Sequence, residues 1–544
     1  MIRSRDEVLS RIRSGRGLAG ETIEGVDLDG ITAPGADFTG AVFRGCSARD
    51  ARFGRSVFRG ARLLRVDFAR ADLTGIDGAS LNAAPEGEGT ESSFWCARFD
   101  RASLTGADLT GALLSEATFT GADLTQSVFT RARAVRAALN DAVLRGAVLE
   151  GADLASAVLD GAALDEANLT RAVLEAASAR GAGFRRATLE AANLTGALLE
   201  GADLTGALLT SAVLAGADLT RADLGGADLE RANLEQAILE QARFPGANLA
   251  GARLGRATGT GVLFAGANLA GARFEGNGLA LVDFGSANLA GALLAGCSLP
   301  LTSFVGASLT RADLRGADVR KANLARAKLL EAQLDGLDLR EARLFKARLS
   351  RADLSRVKLA GALFLDCLLD EIRADGADLT GCDLSDSMLA GASLVRAVLA
   401  HSTLRQTSFA GANLRGADLR GAQGLRANLQ GACLDEANLQ GASFDDAALD
   451  RVKMRKANAE GARFETARFV RADLRGTVLR AALLARADLS HAALDECDAR
   501  RAVLDGADLH RATRTGADLS GASLKDVKDT DPERAAAEDY HPGS

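Results

Sequence analysis

The sequence contains four histidines and seven cysteines, the residue types that most often hold metals or act as nucleophiles. The histidines are His401, His491, His510 and His541. His491 and His510 fall within one stretch of 20 residues, but they occupy different places in the local pattern, and no cysteine or carboxylate cluster completes a ligand set in the sequence. We therefore predict surface histidines, no metal site and no cofactor.

Five of the seven cysteines occupy a position that is usually alanine, which indicates a small buried side chain rather than a reactive thiol. Aspartate and asparagine recur at fixed spacing, so pairs of carboxylates arise by repetition and do not indicate acid–base catalysis. Gly-x4-Gly also recurs without a following Lys-Ser/Thr, so no phosphate loop is indicated. We predict that the protein is not an enzyme and has no catalytic residues. The five cysteines are Cys46, Cys297, Cys367, Cys382 and Cys497.

The composition excludes several classes of protein. The 544 residues are 47% hydrophobic but only 4% aromatic, with 59 glycines and 6 prolines, which is unlike a collagen-like or Pro-rich disordered chain. The net charge of −7 does not favour direct nucleic-acid binding. The sequence lacks an apolar run of membrane-spanning length and a standard signal peptide. We expect a cytoplasmic protein, or one exported by a secretion system that needs no signal peptide.

A period of five residues dominates the sequence. From Phe94 to Leu524 there are 87 consecutive pentads, and the central residue is Leu, Phe, Val or Met in 79 of them. Two residues earlier, 69 of the 87 are alanine. Five residues advance an α-helix by about 500°, which spreads the leucines around it, and an odd period places them on both faces of a strand. Each pentad is therefore predicted to form one side of a closed turn, with the central residue and the alanine pointing inward.

Phenylalanine indicates how many sides complete a turn. Of the 15 central phenylalanines in this block, eight fall in the same class when positions are counted modulo 20. This spacing predicts four pentads in each coil and a square cross-section. Glycine is common two residues after the central residue, where a corner needs a positive φ. The eight are Phe184, Phe244, Phe264, Phe284, Phe304, Phe364, Phe444 and Phe464.

Residues 107–111 and 202–206 both read Ala-Asp-Leu-Thr-Gly. With these pentads sustained over most of its length, the chain resembles the pentapeptide repeat family. The resemblance implies an all-β fold, a right-handed quadrilateral β-helix with about 20 residues per coil. It also implies a role in binding proteins. Some long members look linked to bacterial secretion machinery, and shorter members mimic DNA when they bind DNA gyrase and topoisomerase IV.

The pattern divides the chain into five segments. Ser4 to Glu7 fits a capping box, which predicts a short N-terminal capping helix within residues 1–15. Residues 16–75 form a first repeat block, and residues 76–91 form an acidic loop containing Gly and Pro, where the five-residue register slips. The main β-helix is predicted over residues 92–524. Residues 525–544 are predicted to be a flexible tail, which leaves the C-terminal end open to a homodimer contact.

The leading functional hypothesis is a rigid, non-enzymatic scaffold for protein–protein interaction, accessory to or delivered by a type VI-like secretion system. The acidic loop and the only tryptophan provide one candidate contact for a protein partner, and an arginine-rich band before them provides another. The predicted contact residues are Glu86, Glu88, Glu91, Trp95, Arg52, Arg55 and Arg59.

The alternative hypothesis is a DNA mimic that binds DNA gyrase, a type II topoisomerase, and modulates quinolone action. Residues 190–240 contain nine acidic and two basic residues, which could imitate a duplex locally. Basic bands elsewhere interrupt this acidic character. A structural rod without a dedicated partner is a third hypothesis. The predicted acidic contacts are Glu200, Asp203, Asp218, Asp223 and Asp228.

Overall fold

The computed structural model describes residues 1–539, and parallel pairing between residues 20 positions apart organises the chain. Three strands, β1 (Thr22–Glu24), β2 (Val42–Arg44) and β3 (Arg62–Leu64), form one sheet in the order β1-β2-β3. A second sheet contains β4 (Thr258–Thr260) and β5 (Gly278–Ala280). Many further pairs are single parallel bridges, such as Asp203 with Asp223. The pairing confirms the coil of four pentads.

The repeat folds this way because the backbone groups of each pentad are satisfied by the neighbouring coils and by the next corner. The amide of the central residue Leu204 donates to the carbonyl of Asp223 in the next coil, at 2.7 Å. The amide of Asp223 donates back to the carbonyl of Ala202 at 3.0 Å. The corner closes when the Ala207 amide donates to the Leu204 carbonyl at 3.0 Å. Leu204 and Ala202 are buried, which confirms the predicted inward positions.

The corners impose a left-handed backbone on whatever residue stands there. Gly206 has a φ of 66°, as predicted for a corner glycine. Residues with a Cβ adopt the same conformation in the same position, such as Arg221 at 57°, Glu496 at 59° and His491 at 60°. This conformation costs residues other than glycine roughly 1–2 kcal/mol each. The free energy gained by closing the coil therefore exceeds the conformational cost of the left-handed backbone at these positions.

The chain forms two compact units, Met1–Asp283 and Phe284–Ser544, the second of which is described to residue 539. The first unit begins with α1 (Arg5–Arg13), which buries Val8, and with a bridge from Ile2 to Ile23. The expected capping box is wrong. Within the described residues no side-chain bond from Ser4 caps the helix, and Glu7 instead accepts a hydrogen bond from Arg11 at 3.1 Å.

The first unit contains one coil that is six residues longer than its neighbours. Asp67 pairs with Ser93 and Asn82 pairs with Asp108, whereas Ser93 pairs with Leu113 at the usual spacing. The repeat thus continues past residue 75, and the predicted loop 76–91 begins too early. The sequence pattern did not reveal these pentads, because the small residues Gly78 and Ala83 occupy central positions that are usually large and apolar. The extra residues leave the coil as a bulge within residues 84–91, which we call the corner bulge.

Residues 525–539 of the second unit are structured where the sequence predicted a flexible tail, and residues 540–544 of that prediction lie outside the described residues. Lys528 still pairs with Asp508, and α2 (Pro532–Asp539) follows. Asp531 caps this helix, because its Oδ1 accepts the Glu533 amide at 2.9 Å. The inward residue Leu524 of the last coil is 42% exposed.

Neither α1 nor α2, the two helices of the described chain, is long and apolar enough to cross a membrane.

Candidate partner-binding surface

The corner bulge is held in shape by its own short hydrogen bonds. The Thr90 hydroxyl donates to the Gly87 carbonyl at 2.5 Å and accepts the Gly87 amide at 2.9 Å. Gly89 has a φ of 71°, which suits a turn that a bulkier residue would strain. The Gly89 amide donates to Oε1 of Glu91 at 3.3 Å, while Glu88 is exposed. The bulge therefore has a defined turn at its tip.

Glu86 folds back from the bulge onto two arginines of neighbouring strands. Its carboxylate lies 3.5 Å from Nη1 of Arg44 and 3.6 Å from Nη2 of Arg62. All three side chains are about half exposed. Surface pairs of this kind contribute about 0–1 kcal/mol, so a partner could displace Glu86 at little cost.

Trp95 follows the bulge on the next face of the coil, and it is 43% exposed. The Arg70 guanidinium lies 5.8 Å from the centroid of the Trp95 ring. The same guanidinium donates to both oxygens of Asp50, at 2.8 and 2.6 Å. Hydrogen bonding to Arg70 lowers the pKa of Asp50, which keeps this carboxylate charged and the guanidinium in place. We call Arg44, Arg62, Arg70, Glu86 and Trp95 the insertion surface.

The structure does not bring the predicted arginines Arg52, Arg55 and Arg59 to this surface. They belong to the pentads of Phe53 and Phe58, whose faces do not border the bulge, and Arg59 pairs with Asp77 at 2.6 Å. Sequence reasoning missed the individual roles of Arg44, Arg62 and Arg70. The available signal was that Arg44 lies about one coil before Arg62, and that Arg70 lies about one lengthened coil before Trp95.

The predicted acidic residues do not form one continuous face. Asp203 and Asp223 stack in one column, but the next residue of that column is Arg243, 3.4 Å from Asp223. Asp218 and Asp228 belong to two other faces. Their columns continue into Ile238 and, in the preceding coil, Leu208, which are exposed apolar side chains.

Two of the acidic side chains are also partly neutralised. Glu200 pairs with Arg221 at 3.2 Å, and Asp203 pairs with Arg185 at 2.6 Å. Burial opposes ionisation of Asp203, but hydrogen bonds from Thr205 and the contact with Arg185 together outweigh it and lower the pKa of the carboxyl. Asp203 therefore remains charged, yet arginine side chains cover part of the surface of both acidic residues.

The histidines differ from the sequence prediction at one place. His510 is only 1% exposed, so the expectation of a surface residue is wrong for it. His491 stands in the preceding coil, and Glu538 of α2 approaches both rings. Sequence reasoning missed the Glu538 carboxylate because Glu538 follows the last pentad. Beyond that point the five-residue period no longer predicts which residues lie next to each other. His401 is exposed at a corner, and His541 lies outside the described residues.

The coil of four pentads, with inward leucine and alanine, is the arrangement expected of the resemblance noted above. The sequence profile described as pentapeptide repeats matches most of the chain. The chain belongs to the pentapeptide repeat family. The matched residues are 24–75, 92–131, 135–276, 287–344, 347–386, 392–423 and 425–526.

Three solved structures illustrate the similarity. HetL, a pentapeptide repeat protein involved in heterocyst differentiation regulation in the cyanobacterium Nostoc sp. strain PCC 7120, is 30% identical, with 44% of this chain and 87% of HetL covered and a TM-score of 0.24. A pentapeptide repeat protein of the Arabidopsis thaliana thylakoid lumen is also 30% identical, with 20% and 74% covered and a TM-score of 0.19.

The third is QnrB1, a plasmid-mediated fluoroquinolone resistance protein, at 17% identity, with 47% of this chain and 93% of QnrB1 covered and a TM-score of 0.22. At these TM-scores the likeness carries no conclusion about function. Among curated proteins, no sequence matches the chain significantly.

Proposed function

We propose that this protein is a non-enzymatic scaffold whose protein partner docks on the insertion surface. The observation that carries the proposal is the exposed Trp95 ring beside Arg70, next to a bulge of six extra residues. Tryptophan and arginine are enriched among the residues that dominate binding energy at interfaces. Loops on a rigid framework commonly carry binding.

The coils give this surface a fixed geometry. The Trp95 carbonyl accepts the Arg70 amide at 2.7 Å, so the ring and its cationic neighbour are attached to successive coils of one framework. In this proposal the coils wind in the right-handed sense that family membership implies. A partner would therefore meet preorganised side chains, which lowers the entropy lost on binding.

Affinity capture from the native cell tests the proposal. Trp95→Ala is expected to lose the partner captured by the natural chain, and removal of residues 85–90 is expected to do the same. Phe345→Ala provides a matched control, because Phe345 is also 43% exposed and Lys346 lies 5.1 Å from its ring centroid. Equal capture by all three variants would overturn the proposal.

The identity of the captured partner decides the biological setting. Components of a type VI-like secretion system, captured in a salt-sensitive manner, would support an accessory or exported role. Fractionation of the native culture tests location, since the proposal places the protein in the cytoplasm or among exported proteins. Capture of other proteins in a manner that depends on Trp95 would support the scaffold proposal and reject the link to a secretion system.

A second candidate is the gyrase-binding DNA mimic, which the stacked carboxylates of Asp203 and Asp223 favour locally. A supercoiling assay with gyrase, with and without a quinolone, tests it. Inhibition or protection that Asp203→Asn with Asp223→Asn abolishes would support the mimic. We place it second because its carboxylates occupy three faces and several pair with arginine.

We further propose that a second copy of the chain covers the last coil. Leu524 is 42% exposed at an inward position, while Leu504 beneath it is buried. Sedimentation of the natural chain should show a dimer that Leu524→Glu converts to a monomer. A natural chain that stays monomeric at micromolar concentration would reject this contact.

A further inference from the structure

A cluster of two histidines and one carboxylate joins α2 to the side of the last coils. His491 and His510 belong to successive coils, and the His491 amide donates to the His510 carbonyl at 2.7 Å. Their rings are 5.6 Å apart between centroids and nearly perpendicular, at 77°. Glu538 of α2 completes the group, with its ligand oxygen and the two ring nitrogens all within 4.8 Å of one another.

The distances suit a coordination sphere, and where the His510 contact with Glu538 is also a hydrogen bond it is a long one. Oε2 of Glu538 lies 3.3 Å from Nε2 of His491 and 3.4 Å from Nε2 of His510. Hydrogen bonds between N–H and oxygen are normally about 2.7–3.2 Å long. Ligands about 2.0–2.1 Å from a tetrahedral zinc ion are separated by roughly 3.3 Å. We propose that His491, His510 and Glu538 bind one transition-metal ion of the zinc type, which clamps α2 to the coils.

The donor set suits such an ion. Two imidazole nitrogens and one carboxylate oxygen are ligands that zinc and its neighbours accept, and three protein ligands leave a fourth position for water. His510 is almost fully buried, so one ligand is fixed by the surrounding coil before the metal arrives. The second ring nitrogen would move by less than about 2 Å to complete the third edge of the tetrahedron.

Two groups compete with the metal, and both set limits on its affinity. Nε of Arg511 lies 3.5 Å from Oε2 of Glu538, and Nε of Arg534 donates to Oε1 at 3.2 Å. The metal takes Oε2, so Arg534 can keep its bond to Oε1. Arg511 can release Oε2 at little cost, because its Nη2 keeps the bonds to the Ala535 carbonyl and to Asp539, each at 2.6 Å.

Metal binding must also change the tautomer of His510. Its Nδ1 accepts the Asp531 amide at 3.1 Å, so without metal the ring proton is on Nε2. The metal needs the lone pair of Nε2, and the proton then resides on Nδ1. The Asp531 amide must turn away from Nδ1 as a result. Because Asp531 caps α2, the clamp is connected to both ends of this helix.

A titration of the full chain with zinc, measured by isothermal calorimetry, tests the proposal. We expect one ion per chain with a dissociation constant of about 10 µM or below, given that structural zinc sites bind considerably more tightly. Glu538→Gln and His491→Gln should each weaken binding at least about tenfold, since each removes a ligand. His401→Gln is the matched control, because it removes a histidine from a corner of the same unit.

A second measurement follows the helix itself. Hydrogen exchange of residues 532–539 should slow when zinc is added to the natural chain, and it should not change in Glu538→Gln. Cobalt should give the intense visible absorption of a tetrahedral site. Zinc binding that is equal in Glu538→Gln and the natural chain would overturn the proposal, because exposed carboxylates would then hold the ion. Absence of binding at 100 times the expected constant, about 1 mM, would also overturn it.

Discussion

Gly424 and Phe444 occupy stacked central positions, and the phenylalanine ring fills the space that the glycine leaves. A Cβ on Gly424 would overlap Cε1 and Cδ1 of Phe444. Phe444 is fully buried and stacks on Phe464 in the next coil, 6.2 Å between centroids. A large residue in one coil is thus compensated by a missing side chain in the coil before it.

This relationship predicts that Gly424→Ala destabilises the protein. Its Cβ would collide with a buried ring that neighbouring coils hold in place, and overpacking of this kind costs typically 1–3 kcal/mol. Urea unfolding measures the loss. Phe444→Leu in the Gly424→Ala background should recover part of it, and the double-mutant cycle gives the coupling. Gly278→Ala is the control, because no atom beyond its chain neighbours lies within 4 Å in the described chain.

The left-handed corners predict opposite effects for two substitutions. Gly441 has a φ of 64°, and Gly441→Ala should lower the free energy of unfolding by roughly 1–2 kcal/mol. Ala481 has a φ of 55°, and Ala481→Gly should raise it by a smaller amount, because glycine also loses more entropy on folding. Thermal unfolding of both variants checks the signs. A loss of stability in Ala481→Gly would show that corner strain is not the dominant effect.

Thiol reactivity should follow burial. Burial raises the pKa of Cys367, Cys382 and Cys497 to about 12, so their reactive thiolate forms are scarce at pH 8. Iodoacetamide should therefore modify the partly exposed Cys433 first in the folded protein, and Cys96 more slowly, because burial and the Glu116 carboxylate raise the pKa of the Cys96 thiol. Peptide mass spectrometry locates the label, and urea-unfolded protein should carry it on all seven cysteines. Rapid labelling of Cys367 in the folded state would contradict the prediction.

Acid should destabilise the coils. Hydrogen bonds from Arg500 and Arg480 lower the pKa of Asp498 well below its usual value, and a hydrogen bond from Arg420 lowers the pKa of Asp418. A carboxyl whose pKa is depressed in the folded state stabilises above its unfolded pKa, about 3.9, and loses that stabilisation as pH falls. The urea midpoint should drop between pH 5 and pH 3. Asp498→Asn should reduce this pH dependence. An unchanged slope of the urea midpoint against pH would show that Asp498 does not contribute to the acid sensitivity.

The sequence was sufficient to predict the coil because the same constraint recurs in every pentad. Inward leucine and alanine, and phenylalanine spaced by multiples of 20, determine the period without any long-range information. The corner bulge was placed too early because Gly78 and Ala83 interrupt the apolar pattern while remaining in the coil. The five-residue pattern predicts the inward positions well, except where a small residue replaces the large apolar residue at a central position.

The candidate sites were less predictable, because they depend on which outward side chains meet. Trp95 and Glu86 were identified as unusual residues, but the partners Arg70, Arg44 and Arg62 required the alignment of successive coils. The metal-ligand candidates His491 and His510 were considered together, yet Glu538 follows the repeat and had no register. Contacts between the last helix and the coils depend on the chain path after Lys528, which five-residue periodicity does not encode.

The 20-residue stacking also affects how such a gene can change in length. Duplication or loss of a whole coil leaves every column aligned, whereas gain or loss of a single pentad preserves the inward pattern and rotates all later residues by one face. Ion pairs inside a pentad, such as Asp418 with Arg420, would survive that rotation. Pairs between coils, such as Asp435 with Arg455, would be separated when the gained or lost pentad falls between the two residues. The repeat unit for folding is therefore five residues, but the heritable unit for a surface is 20.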